Sequence, residues 1–215
     1  MQQLIPVPTT LVQIIWIGGS PCAGKSTLAA TLARRYGLTH YSCDDALTAH
    51  LQRSDAATYP LLHQLAKRSW NEIWTRPVER QIREELAFYR EEFPLILEDL
   101  AAFPPDTPIV AEGTALLPEL VAPLLQGQRQ ALWIVPTASF QREHYERRPW
   151  INDILRQCAN PALAFDNWMR RDIGFADAVE ESAGALGLPV IRVDGKEDAD
   201  EVFTRVCGVL RLPMR

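Results

Sequence analysis

Short apolar runs alternate along this chain with longer stretches in which apolar residues recur every three or four positions. Residues 11–17, LVQIIWI, have the length and character of a buried strand. In 25–36, Leu28, Ala29, Leu32 and Ala33 share one helical face, and Gly37 supplies the stop. THYSC (39–43) reads as a second short strand, with Asp44 and Asp45 just past its end. Residues 60–92 are helical in character and read as two helices. Leu61, Leu62, Leu65, Ala66, Ile73 and Trp74 suit one packed face, and Val78, Ile82, Leu86 and Phe93 another. Pro77 either starts the second helix or kinks the join. Beyond the loop FPPDTP come three more apolar runs: IVAE (109–112), ALWIV (131–135) and PVIRV (189–193). Five short strands separated by helical segments predict an α/β fold, a parallel sheet covered on both faces with right-handed crossovers.

Composition narrows the class. A chain of 215 residues, 47% hydrophobic and 23% charged, suits one globular domain, and without repeat, low-complexity segment or linker we take 1–215 as a single unit. A net charge of −5 argues against nucleic acid as the main partner. The start, MQQLIPVPTTLVQ, lacks a basic n-region and contains two prolines, so it does not read as a targeting peptide. No apolar run approaches the roughly 20 residues of a spanning helix. Cys22, Cys43, Cys158 and Cys207 have no metal-ligand spacing, and reduced thiols in a cytoplasm are the simplest expectation.

The candidate chemistry begins at residue 19. Gly19, four residues, then Gly24, Lys25 and Ser26 is the Walker A spacing, set between a predicted strand and a predicted helix. Gly19, Ser20, Pro21, Cys22, Ala23, Gly24, Lys25, Ser26 and Thr27 form the expected nucleotide-binding stretch. Backbone N–H groups and the positive helix end gather phosphate oxygens, Lys25 reaches the β/γ-phosphates, and the Ser26 hydroxyl can ligate Mg²⁺. Asp44 and Asp45 follow strand two at the edge where such sheets take ligands. Asp44 is the candidate base or metal ligand; the alternative is that one of the pair caps the next helix. Glu112, closing strand three, is the candidate to hold Mg²⁺ through water; the alternative is a solvated loop acid. Arg147 is assigned to the transferring phosphoryl group, with Arg142, Arg148, Arg170 and Arg171 as further candidates on a lid over 138–172. Glu143, Glu146 and Asp172 are close enough in sequence to pair with these arginines on a solvated helix instead. His144 is given no chemical role, and Trp70, Trp74, Phe88 and Tyr89 are assigned to packing, the alternative being that some of them line an acceptor pocket. Cys22 stands inside the phosphate loop, where modification of its thiol would obstruct nucleotide binding.

GGSPCAGKSTLA, the acidic pair after strand two, and VAEGTALLPEL together resemble the small P-loop kinases, the group of nucleoside-monophosphate, shikimate and gluconate kinases and chloramphenicol phosphotransferase. IVAEGTALLP is similar to the third-strand region of 2-phosphoglycerate-kinase-like proteins. The resemblance covers 11–51 and 108–136, with VIRVDG as a fifth strand and base-side loop. It implies a three-layer P-loop NTPase fold with strand order 2-3-1-4-5, ATP with Mg²⁺, and a lid after strand four. The helical segment 52–105, where an acceptor pocket belongs, matches none of these enzymes.

Two functions follow as expectations. The first is ATP-dependent phosphoryl transfer to a hydroxyl or phosphate of a small molecule, by a monomer or homodimer. The other is a nucleotide-dependent adaptor using 52–105 to hold a partner. Exposed Trp70 and Trp74 would favour the adaptor, an enclosed polar pocket beside Asp44 the kinase. A kinase acting on RNA is disfavoured by the charge balance.

Overall fold

The apolar runs become strands: β1 (Ile14–Gly19), β2 (Thr39–Ser42), β3 (Ile109–Glu112), β4 (Ala131–Pro136) and β5 (Val190–Val193). They form one sheet in the order β2-β3-β1-β4-β5, with every pairing parallel. The structure is a computed structural model and describes residues 14–125 and 130–213. Residues 11–13 of the predicted first strand lie outside the described residues. The helices are α1 (Lys25–Tyr36), α2 (Cys43–Arg53), α3 (Pro60–Ala66), α4 (Trp70–Trp74) and α5 (Val78–Ala101) in the first half. The second half adds α6 (Pro118–Val121), α7 (Ala138–Glu146), α8 (Ile151–Leu155), α9 (Pro161–Ala185) and α10 (Ala199–Leu210).

Alternate strand residues feed opposite faces. Ile14, Trp16, Ile109, Ala111 and Trp133 pack with Phe93, Ile96 and Leu100 of α5 and Phe175 and Val179 of α9. Ile15, Ile17, Val110, Leu132 and Ile134 pack with Leu28 and Leu32 of α1 and Phe203, Val206 and Leu210 of α10. The expected sheet with helices on both faces is therefore the one observed. A third cluster, off the sheet, joins Trp74 of α4, Tyr145 of α7, Ile151 of α8 and Trp168 and Met169 of α9. Trp74 and Trp168 stack with ring centroids 4.2 Å apart.

Three local expectations need correction. Between 60 and 92 there are parts of three helices, because a separate start signal precedes Trp70. The Ser69 hydroxyl accepts the Glu72 N–H while the Glu72 carboxylate accepts the Ser69 N–H, a capping box that begins α4 on its own. Pro77 does start the next helix, as the N-cap of α5, but that helix runs on through Pro94 to Ala101. Its second half belongs to the sheet core, so 52–105 is only partly an acceptor-side layer. The second strand stops at Ser42 because Ser42 caps α2, its side chain accepting the Asp45 N–H at 3.3 Å. Neither Asp44 nor Asp45 is the cap; both stand in the first turn of α2, where acids complement the helix dipole.

Candidate functional site

Register brings the site together before any side chain does. Ile17, Glu112 and Ser42 are level across β1, β3 and β2, so three strands deliver their following residues to one sheet edge. At Gly19 the backbone has φ 127°, and a Cβ would lie 1.9 Å from the Ile134 carbonyl oxygen, so no other residue fits. Gly24 precedes α1 at φ 83°, a left-handed turn that glycine makes without cost. Between them Cys22 takes φ 64°, uncommon for a residue with a side chain. Ser20 is fully buried, and its hydroxyl donates to the Asp172 carbonyl at 3.4 Å, tying the loop to α9. Lys25 opens α1 and is only 7% exposed, its Nζ donating to the Ser20 carbonyl at 2.8 Å.

A cavity of about 560 Å³ lies against this loop, lined by Pro21 to Thr27 together with Asp44, Thr114, Arg148 and Arg171. Burial lowers the Lys25 pKa, while the nearby Asp44 and Glu112 carboxylates pull it back up. Glu112 is buried at the end of β3, and burial raises its pKa against the opposing effects of Lys25 and a hydrogen bond from Ser26. Its Oε2 has no hydrogen-bond partner, and the His40 Nε2 stands 3.8 Å from its Oε1. A hydroxyl backed by a buried carboxylate with spare accepting capacity fits a hydrated divalent cation carried in on phosphate.

The five arginines separate. Arg148 lines the cavity, its guanidinium over the Tyr145 ring at 5.2 Å and the Trp150 ring at 5.8 Å. Arg171 also lines it, but is ion-paired to Glu85 and Asp172 and lies over Trp74 at 4.8 Å. Arg142 pairs with Asp166 at 2.7 Å, Arg147 is exposed and pairs with Glu143, and Arg170 is exposed. These three do not line the cavity. Asp45 is likewise absent from its lining.

Sequence reasoning missed the group beneath Arg171. Asp172 is fully buried, not on a solvated helix, and Tyr145 donates to its Oδ2 at 2.8 Å. Burial pushes its pKa up to about 6, with Arg171 pulling down and Glu85 pushing up. Tyr89, for which pocket lining was the alternative to packing, lines the cavity and donates to Glu85 at 3.2 Å. One signal was available: Asp172 follows Trp168 and precedes Phe175, Ala176 and Val179 at helical spacing, a carboxylate on an apolar stripe. The Cys22 thiol has its pKa raised, chiefly by burial, and Cys22 also packs against the tryptophan cluster.

Two further cavities flank the first. One of about 380 Å³ shares Cys22, Gly24, Thr27 and Arg148 with it and continues past Arg34, Phe140, His144 and Gly195. Another of about 420 Å³ shares Glu85, Tyr89 and Arg171 and extends between α2, α3, α4 and α5.

No family model matches the chain. Over 142 residues it is 27% identical to the 2-phosphoglycerate kinase of Methanococcus maripaludis, a match covering 62% of this chain and 45% of that one. The chain thus spans less than half the length of this relative. Among solved structures it is similar to the shikimate kinase of Acinetobacter baumannii, with TM-score 0.49, 13% identity and coverage of 97% of this chain and 100% of that one. The shikimate kinase of Bacteroides thetaiotaomicron gives TM-score 0.48 and 16% identity, covering 93% of this chain and 98% of that one. The strand order and the glycine-lysine-serine loop identify a P-loop fold, and in sequence the chain is similar to a 2-phosphoglycerate kinase.

Proposed function

We propose that this protein transfers the terminal phosphoryl group of ATP to a hydroxyl of a small molecule. The observation that carries this reading is a loop cavity lined by Lys25, Ser26 and Asp44 that shares wall residues with a second cavity on one side and a third on the other. The smallest suits a nucleoside, the loop cavity its phosphates, and the third an acceptor, so donor and acceptor meet over the helix α1 N-terminus.

Each residue has a task in this scheme. Loop N–H groups and Lys25 hold the β- and γ-phosphates and take up charge that grows as the γ-phosphorus leaves its bridging oxygen. Ser26 would hold a Mg²⁺ ion directly and Glu112 through water, and the ion would supply positive charge against the phosphates. Asp44, exposed on the first turn of α2 and lining the same cavity, accepts the proton of the acceptor hydroxyl as its oxygen bonds to phosphorus. Of the two arginines that line the cavity, Arg171 is ion-paired and Arg148 has no ion pair among the described residues, and Arg148 is the candidate to follow the transferring group.

The adaptor reading has less support. Trp74 is 3% exposed and stacked on Trp168, which removes it as a partner-binding anchor; Trp70 is exposed, as the adaptor reading expects, but it also lines the cavity between α2 and α5. The test is transfer of label from γ-labelled ATP to a pool of metabolites. Lys25→Ala should abolish transfer, and Asp44→Asn should slow it strongly with ATP affinity little changed. Full activity in Asp44→Asn would remove Asp44 as the base. Absence of any Lys25-dependent product would remove the kinase reading.

A further inference from the structure

The two arginines of the loop cavity are held in different ways. Arg171 lies between the carboxylates of Glu85 and Asp172, which match its charge. Arg148 has no carboxylate partner among the described residues; ring faces hold it instead, that of Tyr145 at 5.2 Å and that of Trp150 at 5.8 Å. Rings take the flat face of a guanidinium and leave its N–H edge free to donate. Arg148 is close to the phosphate loop, since its charge acts on the Cys22 thiol and draws the thiol pKa down against the effect of burial.

Arg148 belongs to the turn between α7 and α8, where its main-chain N–H donates to the Tyr145 carbonyl at 3.0 Å. Tyr145 is 4% exposed, its ring 5.3 Å from that of Trp168 and 6.4 Å from that of Trp150. Its hydroxyl donates to Asp172 Oδ2 at 2.8 Å. Asp172 stands on α9 just before Phe175, which is packed into the sheet core. The main-chain carbonyl of Asp172 accepts the Ser20 hydroxyl at 3.4 Å. One buried residue therefore fixes the phosphate loop through Ser20 and the rings under Arg148 through Tyr145, so the spacing of Arg148 from the loop is set from α9.

We propose that Tyr145 and Trp150, anchored on Asp172, form a platform that positions Arg148 against the terminal phosphate of the bound nucleotide. This goes beyond the kinase reading and rests on it only for the nucleotide. Tyr145, Trp150 and Asp172 are positioning residues, acting through Arg148. An arginine ordered in advance loses less rotamer freedom when phosphate arrives, and the benefit is confined to the phosphate that Arg148 meets. The inner phosphates, held by the loop, gain nothing from it.

Calorimetric titration of the full chain with Mg-ADP and with the magnesium complex of β,γ-imido-ATP gives its preference for a terminal phosphate and requires no acceptor. Arg148→Ala should lower that preference by about 10-fold, the value of a hydrogen bond between charged groups. Tyr145→Phe keeps the ring and frees it from Asp172, while Trp150→Leu removes the outer half of the platform. Each should lower the preference by roughly 2–5-fold, on the scale of a cation–π contact, with Mg-ADP affinity unchanged. In the Arg148→Ala background neither change should lower it further, whereas a merely structural role would cost the same with and without Arg148. Trp150 is 44% exposed, so Trp150→Leu reads the platform independently of any effect of Tyr145→Phe on folding. An unchanged preference in Arg148→Ala, an unchanged preference in both platform variants, or platform losses that persist without Arg148 overturns the proposal. Transfer from labelled ATP is read separately: the expected preferences without any Lys25-dependent product would keep the platform and overturn the kinase reading instead.

Discussion

Glu112 concentrates the residue-scale argument, because burial raises its pKa while Lys25 and Ser26 draw it back toward the anion. A carboxamide there keeps the shape and removes the charge that acts on Lys25 and that, in the proposed scheme, would draw a hydrated cation. Glu112→Gln should lower transfer by roughly 10–100-fold, the usual cost of losing a group that orients a metal through another ligand. A Mg²⁺ titration checks this: the half-saturating concentration should rise, and an unchanged Mg²⁺ dependence would assign Glu112 to packing. Gly19 and Glu112 were legible in the sequence because each belongs to a local pattern, a glycine spacing or an acid ending an apolar run. The pairing of Asp172 with Tyr145 and Arg171, and of Arg171 with Glu85, was not. Those partners come from three helices, and only the folded packing of α5, α7 and α9 brings them together.

Elements are held in place by a second buried polar group, and it governs how α2 presents Asp44. His50 is fully buried, its Nδ1 2.9 Å from Glu92 Oε1 and its Nε2 2.9 Å from Asp99 Oδ2. Glu92 and Asp99 are seven residues apart on α5, so one imidazole clamps α2 across two turns of that helix. Tyr41 also donates to Asp99 at 2.9 Å, and Arg53 pairs with it. Burial opposes charge on His50, but the hydrogen bonds to both carboxylates outweigh it and its pKa is raised. A histidine raised on folding contributes stability that is whole below its unfolded pKa of about 6.5 and is lost as pH rises through the folded value. Urea unfolding from about pH 6 upward should therefore show a falling midpoint that His50→Gln no longer shows. His50→Ala should cost about 3–5 kcal/mol, because it leaves the buried Glu92 without its cationic partner. Strand positions and α1 were legible because burial on both faces leaves short apolar runs bounded by turns. The break before α4 was less visible, since its cap depends on reading Ser69 with Glu72 inside a stretch whose apolar spacing continues.

For the whole molecule, the loop cavity joins elements far apart in the chain: α1, α2, the turn after β3, α7 to α8, and α9 all border it. A nucleotide held there contacts the folded arrangement and nothing equivalent in the unfolded chain, so its binding energy becomes stability. At a hundredfold excess over its dissociation constant a ligand adds about 2.7 kcal/mol. For a domain of this size each kcal/mol moves the thermal midpoint by roughly 2–4 °C, so saturating Mg-ATP should raise it by roughly 5–10 °C. Lys25→Ala should flatten that response while its own midpoint without nucleotide stays close to the parent's or rises, since removing a buried ammonium relieves the burial that lowers its pKa. Asp44→Asn should keep most of the shift if, as proposed, Asp44 serves the acceptor side of the cavity rather than the phosphate loop. A thermal scan of the three proteins with and without Mg-ATP separates the roles. If Asp44→Asn loses the shift as Lys25→Ala does, Asp44 belongs to the nucleotide or its metal, and the proton must be taken by another group at the same edge.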